Sequence, residues 1–183
     1  VTAARPPRRV GDTGAMRVYL PATTTVLRRL LDDGRLTGPL TVFAVTPELR
    51  EFYELSDSDE EELEYAALLA AARASLRLVD VDPTAARRRV VLAADLPDGA
   101  VTPLGDPDTD RGAARATTDL AMTDVASAHI DVAEAEADVA KAVSVVLEAD
   151  LGSEDAQFVV DQAEGHELAW YATQEIGPAL DLL

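Results

Sequence analysis

The chain has no cysteine, a single lysine (Lys141), two histidines and only eight aromatic side chains among its 183 residues. Each shortage removes a class of chemistry. Without cysteine there is no disulfide framework, no thiol nucleophile and no cysteine-based zinc site. With only His129 and His166, a three-histidine metal centre is impossible, and a serine triad would need one of the two. No Gly-x-Ser-x-Gly elbow, Gly-x-Gly-x-x-Gly turn or Gly-Lys-Ser/Thr loop occurs. No apolar run approaches the ~18–20 residues that span a bilayer. The arginines near the N-terminus are not followed by an apolar stretch, so no secretory signal is expected.

What is abundant is carboxylate. Asp and Glu number 34 against 16 Lys and Arg, for a formal net charge of −18, while hydrophobic residues make up 48% and suffice for a core. The expectation is a soluble, acidic, cytoplasmic globular protein. Residues 1–15 have no hydrophobic periodicity and read as a disordered arm or a mis-assigned start, Val1 standing for a GTG codon ahead of Met16. Setting aside their three arginines and one aspartate takes the net charge from −18 to −20. Direct nucleic-acid binding is not expected of so acidic a body. Mimicry of DNA fails on density: spread over about 8,500 Å², the charges stand about 20 Å apart, beyond the Debye length of about 8 Å.

Residues 16–183 read as one globular domain. Residues 16–20 alternate as a short strand. A helix then runs over residues 23–33, with threonine as cap and Gly34 as stop. Residues 40–45 and 89–94 are apolar runs of buried-strand type, and 114–118 and 125–130 are weaker strands. Thr46-Pro47-Glu48 starts a short helix reaching about Tyr53. The longest helix follows, with Ser58 and Glu61 at capping-box spacing and Leu63, Ala67, Ala70, Ala74 and Leu78 along one face. Residues 96–112 are turn-rich. Asp131 is expected to cap a helix, with Glu134 at capping-box spacing and Val139, Val143 and Val146 facing the core, and Ser153 to open a last helical region running toward Ile176, with Gly165 as a point of interruption and Pro178 as its end. The resulting fold class is α/β, a mixed sheet of about four to five strands packed by helices with a helix-rich C-terminal third; an α+β two-layer sandwich is the alternative.

Four segments, Met16-Arg-Val-Tyr-Leu-Pro-Ala22, Phe43-Ala-Val-Thr-Pro-Glu-Leu-Arg50, Glu61-Glu-Leu-Glu-Tyr-Ala-Ala67 and His166-Glu-Leu-Ala-Trp-Tyr-Ala-Thr-Gln-Glu175, resemble a family of short, acidic, uncharacterised actinobacterial proteins, a domain of unknown function. The resemblance spans residues 16–183. It implies a compact intracellular protein and carries no activity, cofactor or substrate.

Two carboxylate-rich segments hold the candidate sites. His166-Glu167-Leu168-Ala169-Trp170 is one residue short of the zincin helix His-Glu-x-x-His, because Trp170 stands where the second ligand belongs. A helix here would bring Asp161, Glu164, Glu167, Glu175 and Tyr171 onto one or two adjacent faces, with His129 beneath them. Mg²⁺ or Ca²⁺ is the cation such oxygens would take, although no cofactor is predicted. His166, Glu167, Tyr171, Glu164 and Trp170 are therefore the candidate binding residues. Asp106, Asp108 and Asp110 imitate the start of a calcium loop but lack its glycine and its closing Glu. Thr23, Thr24 and Thr25 open a helix where backbone N–H groups can hold an anion or simply be capped.

The second segment, residues 54–64, packs seven acids into eleven positions. Asp57, Asp59, Glu60, Glu61, Glu62 and Glu64 are the candidate docking residues for a basic protein partner, and they also suit a helix N-terminus electrostatically. Dense carboxylate without convergent catalytic groups favours a non-catalytic interaction or regulatory module. A small metal-dependent enzyme or ligand-binding protein built on His166, Glu167 and Tyr171 is the alternative. Oligomeric state stays open.

Overall fold

The computed structural model describes residues 14–53, 59–105 and 110–183; statements below concern these. The main sheet has seven strands: β1 (Ala15–Ala22), β3 (Leu40–Ala44), β4 (Val90–Pro97), β5 (Val101–Pro103), β6 (Ala113–Ala116), β8 (Val125–Asp131) and β9 (Leu168–Ala172), in the order β5-β6-β3-β1-β4-β8-β9. Every neighbouring pair is antiparallel. β2 (Arg35–Leu36) and β7 (Leu120–Ala121) form a separate two-residue ladder. The helices are α1 (Thr24–Asp33), α2 (Pro47–Tyr53), α3 (Glu60–Val81), α4 (Glu136–Asp150), α5 (Glu154–Glu164) and α6 (Ile176–Leu180). Of the two fold classes read from the sequence, the structure takes the alternative, α+β, and the sheet is antiparallel rather than mixed. The sheet is also larger than the four to five strands expected. The two-residue β2 and β7 and three-residue β5 are too short to show a period, and β9 takes its strand state from pairing with β8.

Strand alternation divides the core. Val18, Leu20, Val42, Val90 and Leu92 face one side, where Leu27 and Leu30 of α1 and Ile176 and Leu180 of α6 cover them. Tyr19, Phe43, Val91 and Ala93 face the other, beneath Leu63, Ala67 and Ala71 of α3 and Leu49 of α2. α4 and α5 pack on the far half of α3, through Leu76 and Val79 against Val139, Val146 and Val160. The alanine-rich flank of α3 is what lets it approach the sheet closely. The buried stripe of α3 runs through 63, 67, 71, 72, 75, 76 and 79, so it bends away from Ala70 and Ala74.

Local signals set the helix ends. Thr23 Oγ accepts from Val26 N–H at 3.2 Å, and Gly34 closes α1 at φ 74°, where a side chain would be strained. Asp131 does not cap a helix. It ends β8, its carboxylate pairs with Arg89, and α4 starts only at Glu136 after a 3₁₀ turn over 133–135. No described helix is long and apolar enough to cross a membrane.

Candidate functional site

The segment chosen from sequence as a helix is not one. α5 stops at Glu164, Gly165 and His166 turn the chain, and residues 168–172 run as β9 against β8. Leu, Ala and Trp tolerate a helix, but pairing with β8 overrides that weak preference. The expected convergence is lost with it. Trp170 lies opposite His129, and Tyr171 lies opposite Ala128 on the other sheet face. His166 Nε2 and Asp138 Oδ2 are 3.0 Å apart, and the His166 carbonyl accepts from Arg89 Nη2 at 2.8 Å. Glu164 pairs with Arg73 at 3.0 Å, Asp161 accepts from Gln157 Nε2, and Glu175 accepts from Ala172 N–H at 2.8 Å. Glu167 is exposed. Among the described residues no group of three or more His, Asp or Glu is placed to hold a metal ion.

His129 has its own surroundings. Its Nε2 is 3.3 Å from Ser127 Oγ, on a strand face shared with Arg17 and Asp95, which pair at 2.7 and 2.9 Å. Burial, with a smaller push from the Arg17 charge, lowers its pKa from 6.5 to about 4. It is neutral at pH 7.

The acidic run at the start of α3 divides by role. Asp57 and Glu54 lie outside the described residues, as do Asp106 and Asp108 of the aspartate loop. Asp59 stands at the helix N-cap. Glu60 pairs with Arg50 of α2. Glu64 is 6% exposed and accepts from Tyr19 O–H at 3.5 Å. Of the described acids in the run, only Glu61 and Glu62 are exposed. On their side of α3, Tyr65 follows three and four residues further on and Leu69 four beyond that, and the two are 55% and 42% exposed. At the end of α2, Phe52 and Tyr53 are exposed as well, with the Arg111 guanidinium 3.7 Å from the centre of the Phe52 ring. Composition showed the acids but not these aromatics, because nothing local tells an outward tyrosine from an inward one.

Two polar clusters went unseen in the sequence. Arg73 and Arg77, four apart on α3, tie it to Asp150 at the end of α4 and to Glu164 and Asp110. The hydrogen bonds of Arg77, then of Arg73, hold the Asp150 carboxyl below its usual range. Their partners are 33 to 91 residues away, so no spacing rule finds them. The threonines before α1 form the second cluster. Asp82 accepts from Thr23 and Thr84 hydroxyls and is held to a pKa of about 2, chiefly by Thr84 and Thr25. An anion at this helix N-terminus is thus supplied by the chain itself. Beside it lies a cleft of about 540 Å³, whose lining includes Arg28, Arg29, Asp32 and Asp33. Arg28 is further bound to Asp181.

No curated protein and no solved structure gives a match to the chain. One family does, over residues 16–180, a span that takes in every strand from β1's Met16 to the end of α6. By that coverage the chain belongs to the family of unknown function DUF6912.

Proposed function

We propose that the chain is a non-catalytic interaction module that docks a basic protein partner through the outward face of α3. The observation that carries this reading is the placement of Tyr65 and Leu69, both exposed, beside Glu61 and Glu62. Five of the eight aromatic side chains are exposed, while the core is built mainly from valine, leucine and alanine, with Tyr19 and Phe43 as its buried rings. An aromatic ring is the largest apolar area a chain can bury, roughly 150–250 Å². Leaving most of them in water forgoes that gain, and rings are enriched at the centres of protein interfaces. Carboxylates at the rim would steer a cationic surface into register.

The test is a titration of the full chain with an amphipathic helical peptide bearing Lys and Arg on one face and Leu on the other. Reversing both acids (E61K with E62K) is expected to weaken binding by about tenfold or more, and Tyr65→Ala by a similar factor. Equal affinity of the charge-reversed and native chains would overturn the α3 surface.

A further inference from the structure

The two ends of the sheet are unlike. β5 ends one side after three residues, with Pro103 as its last, and proline and shortness both blunt an edge against further pairing. β9 ends the other with five residues, Leu-Ala-Trp-Tyr-Ala, and has neither proline, lysine nor bulge. Among the described residues it pairs with β8 alone.

The direction of its free backbone groups follows from the ladder. Asp131 N–H donates to Arg89 O, so residues 127, 129 and 131 of β8 bond toward β4, and 128 and 130 bond toward β9. Their partners are Tyr171 and Ala169. The N–H and C=O groups of Leu168, Trp170 and Ala172 therefore point away from the sheet. Glu175 already takes the Ala172 N–H at 2.8 Å. The Ala172 carbonyl opens the 3₁₀ turn over 173–175. What stays open among the described residues is both groups of Leu168 and of Trp170. Trp170, the only tryptophan, is 58% exposed above this edge.

Charge says what kind of strand fits. From residue 142 to 183 the chain has nine Asp and Glu and no Lys or Arg. Asp150, Glu164 and Asp181 are neutralised by arginines from α1 and α3. Glu167 and Glu175, both exposed, bracket the open edge. We infer that β9 accepts an extended basic segment of a partner protein as an eighth, antiparallel strand. A residue opposite Trp170 turns its own N–H and C=O to β9 and its side chain to the tryptophan's face. An arginine there stacks on the indole while its neighbours meet Glu167 and Glu175. A second copy of this chain is a poor occupant, since it would bring the same carboxylates together.

The inference stands apart from the α3 surface, and the experiment separates them. A labelled heptapeptide alternating arginine and valine is titrated against the full chain, with two N-methylated forms. N-methylation of the arginines blocks the groups that face β9; N-methylation of the valines blocks the outer edge. The first is expected to bind about tenfold or more weakly, and the second within about twofold of the parent. Trp170→Ala weakens the parent peptide, while E61K with E62K leaves it unchanged. Equal binding of all three peptides would show charge attraction without strand addition and overturn the inference. So would concentration-dependent dimerisation of the chain abolished by Trp170→Lys.

Discussion

On the sheet face covered by α1 and α6, β1, β3, β4 and β8 present only apolar side chains, among them Leu20, Val42, Leu92 and Ile130. On the face covered by α3, the same strands interleave Tyr19, Phe43 and Val91 with Arg17, Asp95, Ser127, His129 and Asp131. The first face holds together by area alone. The second carries polar groups that survive because each has a partner: among the described residues no buried side-chain polar atom lacks a hydrogen bond. An apolar face tolerates a lost methyl by partial collapse. A face built of pairs fails when one partner goes, because the other is left charged or unbonded.

The sharpest way to break this comparison is at Arg89. Its guanidinium is 1% exposed, meets the fully buried Asp131 carboxylate at 2.9 and 2.7 Å, and donates to the His166 carbonyl. Arg89→Ala strands that carboxylate in the core and is expected to cost about 3–5 kcal/mol in chemical denaturation. Replacing the pair together, Arg89→Met with Asp131→Leu, would make this corner resemble the apolar face. It should recover only part of the loss. Arg89 N–H also donates to Asp131 Oδ2 at 2.7 Å, and that donor and the His166 carbonyl would both go unmet.

The same contrast explains what the sequence could tell. β3 and β4 were legible because a buried strand writes itself as a continuous apolar run, and α1 because Thr23 and Gly34 act within four residues of themselves. Asp131 was misread as a cap because its Glu134 spacing is local, whereas its actual partner is 42 residues earlier. β9 was misread for a related reason: its strand state is imposed by β8, and Leu, Ala and Trp carry no strong contrary preference. The acidic run was visible as a run. That Glu64 turns inward to Tyr19, and Glu60 to Arg50, depends on where the sheet and α2 lie. Apolar patterning is read along the chain; pairing is read only across it.

His129 offers a pH test of the polar face. Its pKa is depressed to about 4, so the folded chain resists a proton that the unfolded chain takes up near 6.5. The stabilisation from keeping it neutral is complete above 6.5 and is lost as the pH falls from 6.5 to 4, amounting to about 3 kcal/mol. The lowered carboxylates Asp138 and Asp150 lose their contributions only below their ordinary value of 3.8. The two windows therefore separate. His129→Gln is expected to flatten the stability profile between pH 6.5 and 4 and to leave the steeper loss below it. An unchanged slope in that window, read from urea midpoints, would show that the imidazole is solvated.

The smallest effect is expected where the two faces meet. Ser75 of α3 is fully buried; its Oγ donates to the Ala22 carbonyl at 2.7 Å and accepts from Val90 N–H at 3.0 Å. Ala22 ends β1 and Val90 starts β4, and the two are register partners, so one hydroxyl clasps both strands from above. Ser75→Ala removes no charge and opens little space, so it does not strand an ion as Arg89→Ala does. It leaves one buried carbonyl and one buried amide without this partner, at a cost of about 1–3 kcal/mol. Amide exchange locates the loss. The Val90 N–H should exchange faster in Ser75→Ala, while the Leu92 N–H, deeper in the same strand, keeps its protection down to the global limit. Equal acceleration at both would mean the hydroxyl stabilises the whole sheet rather than its seam.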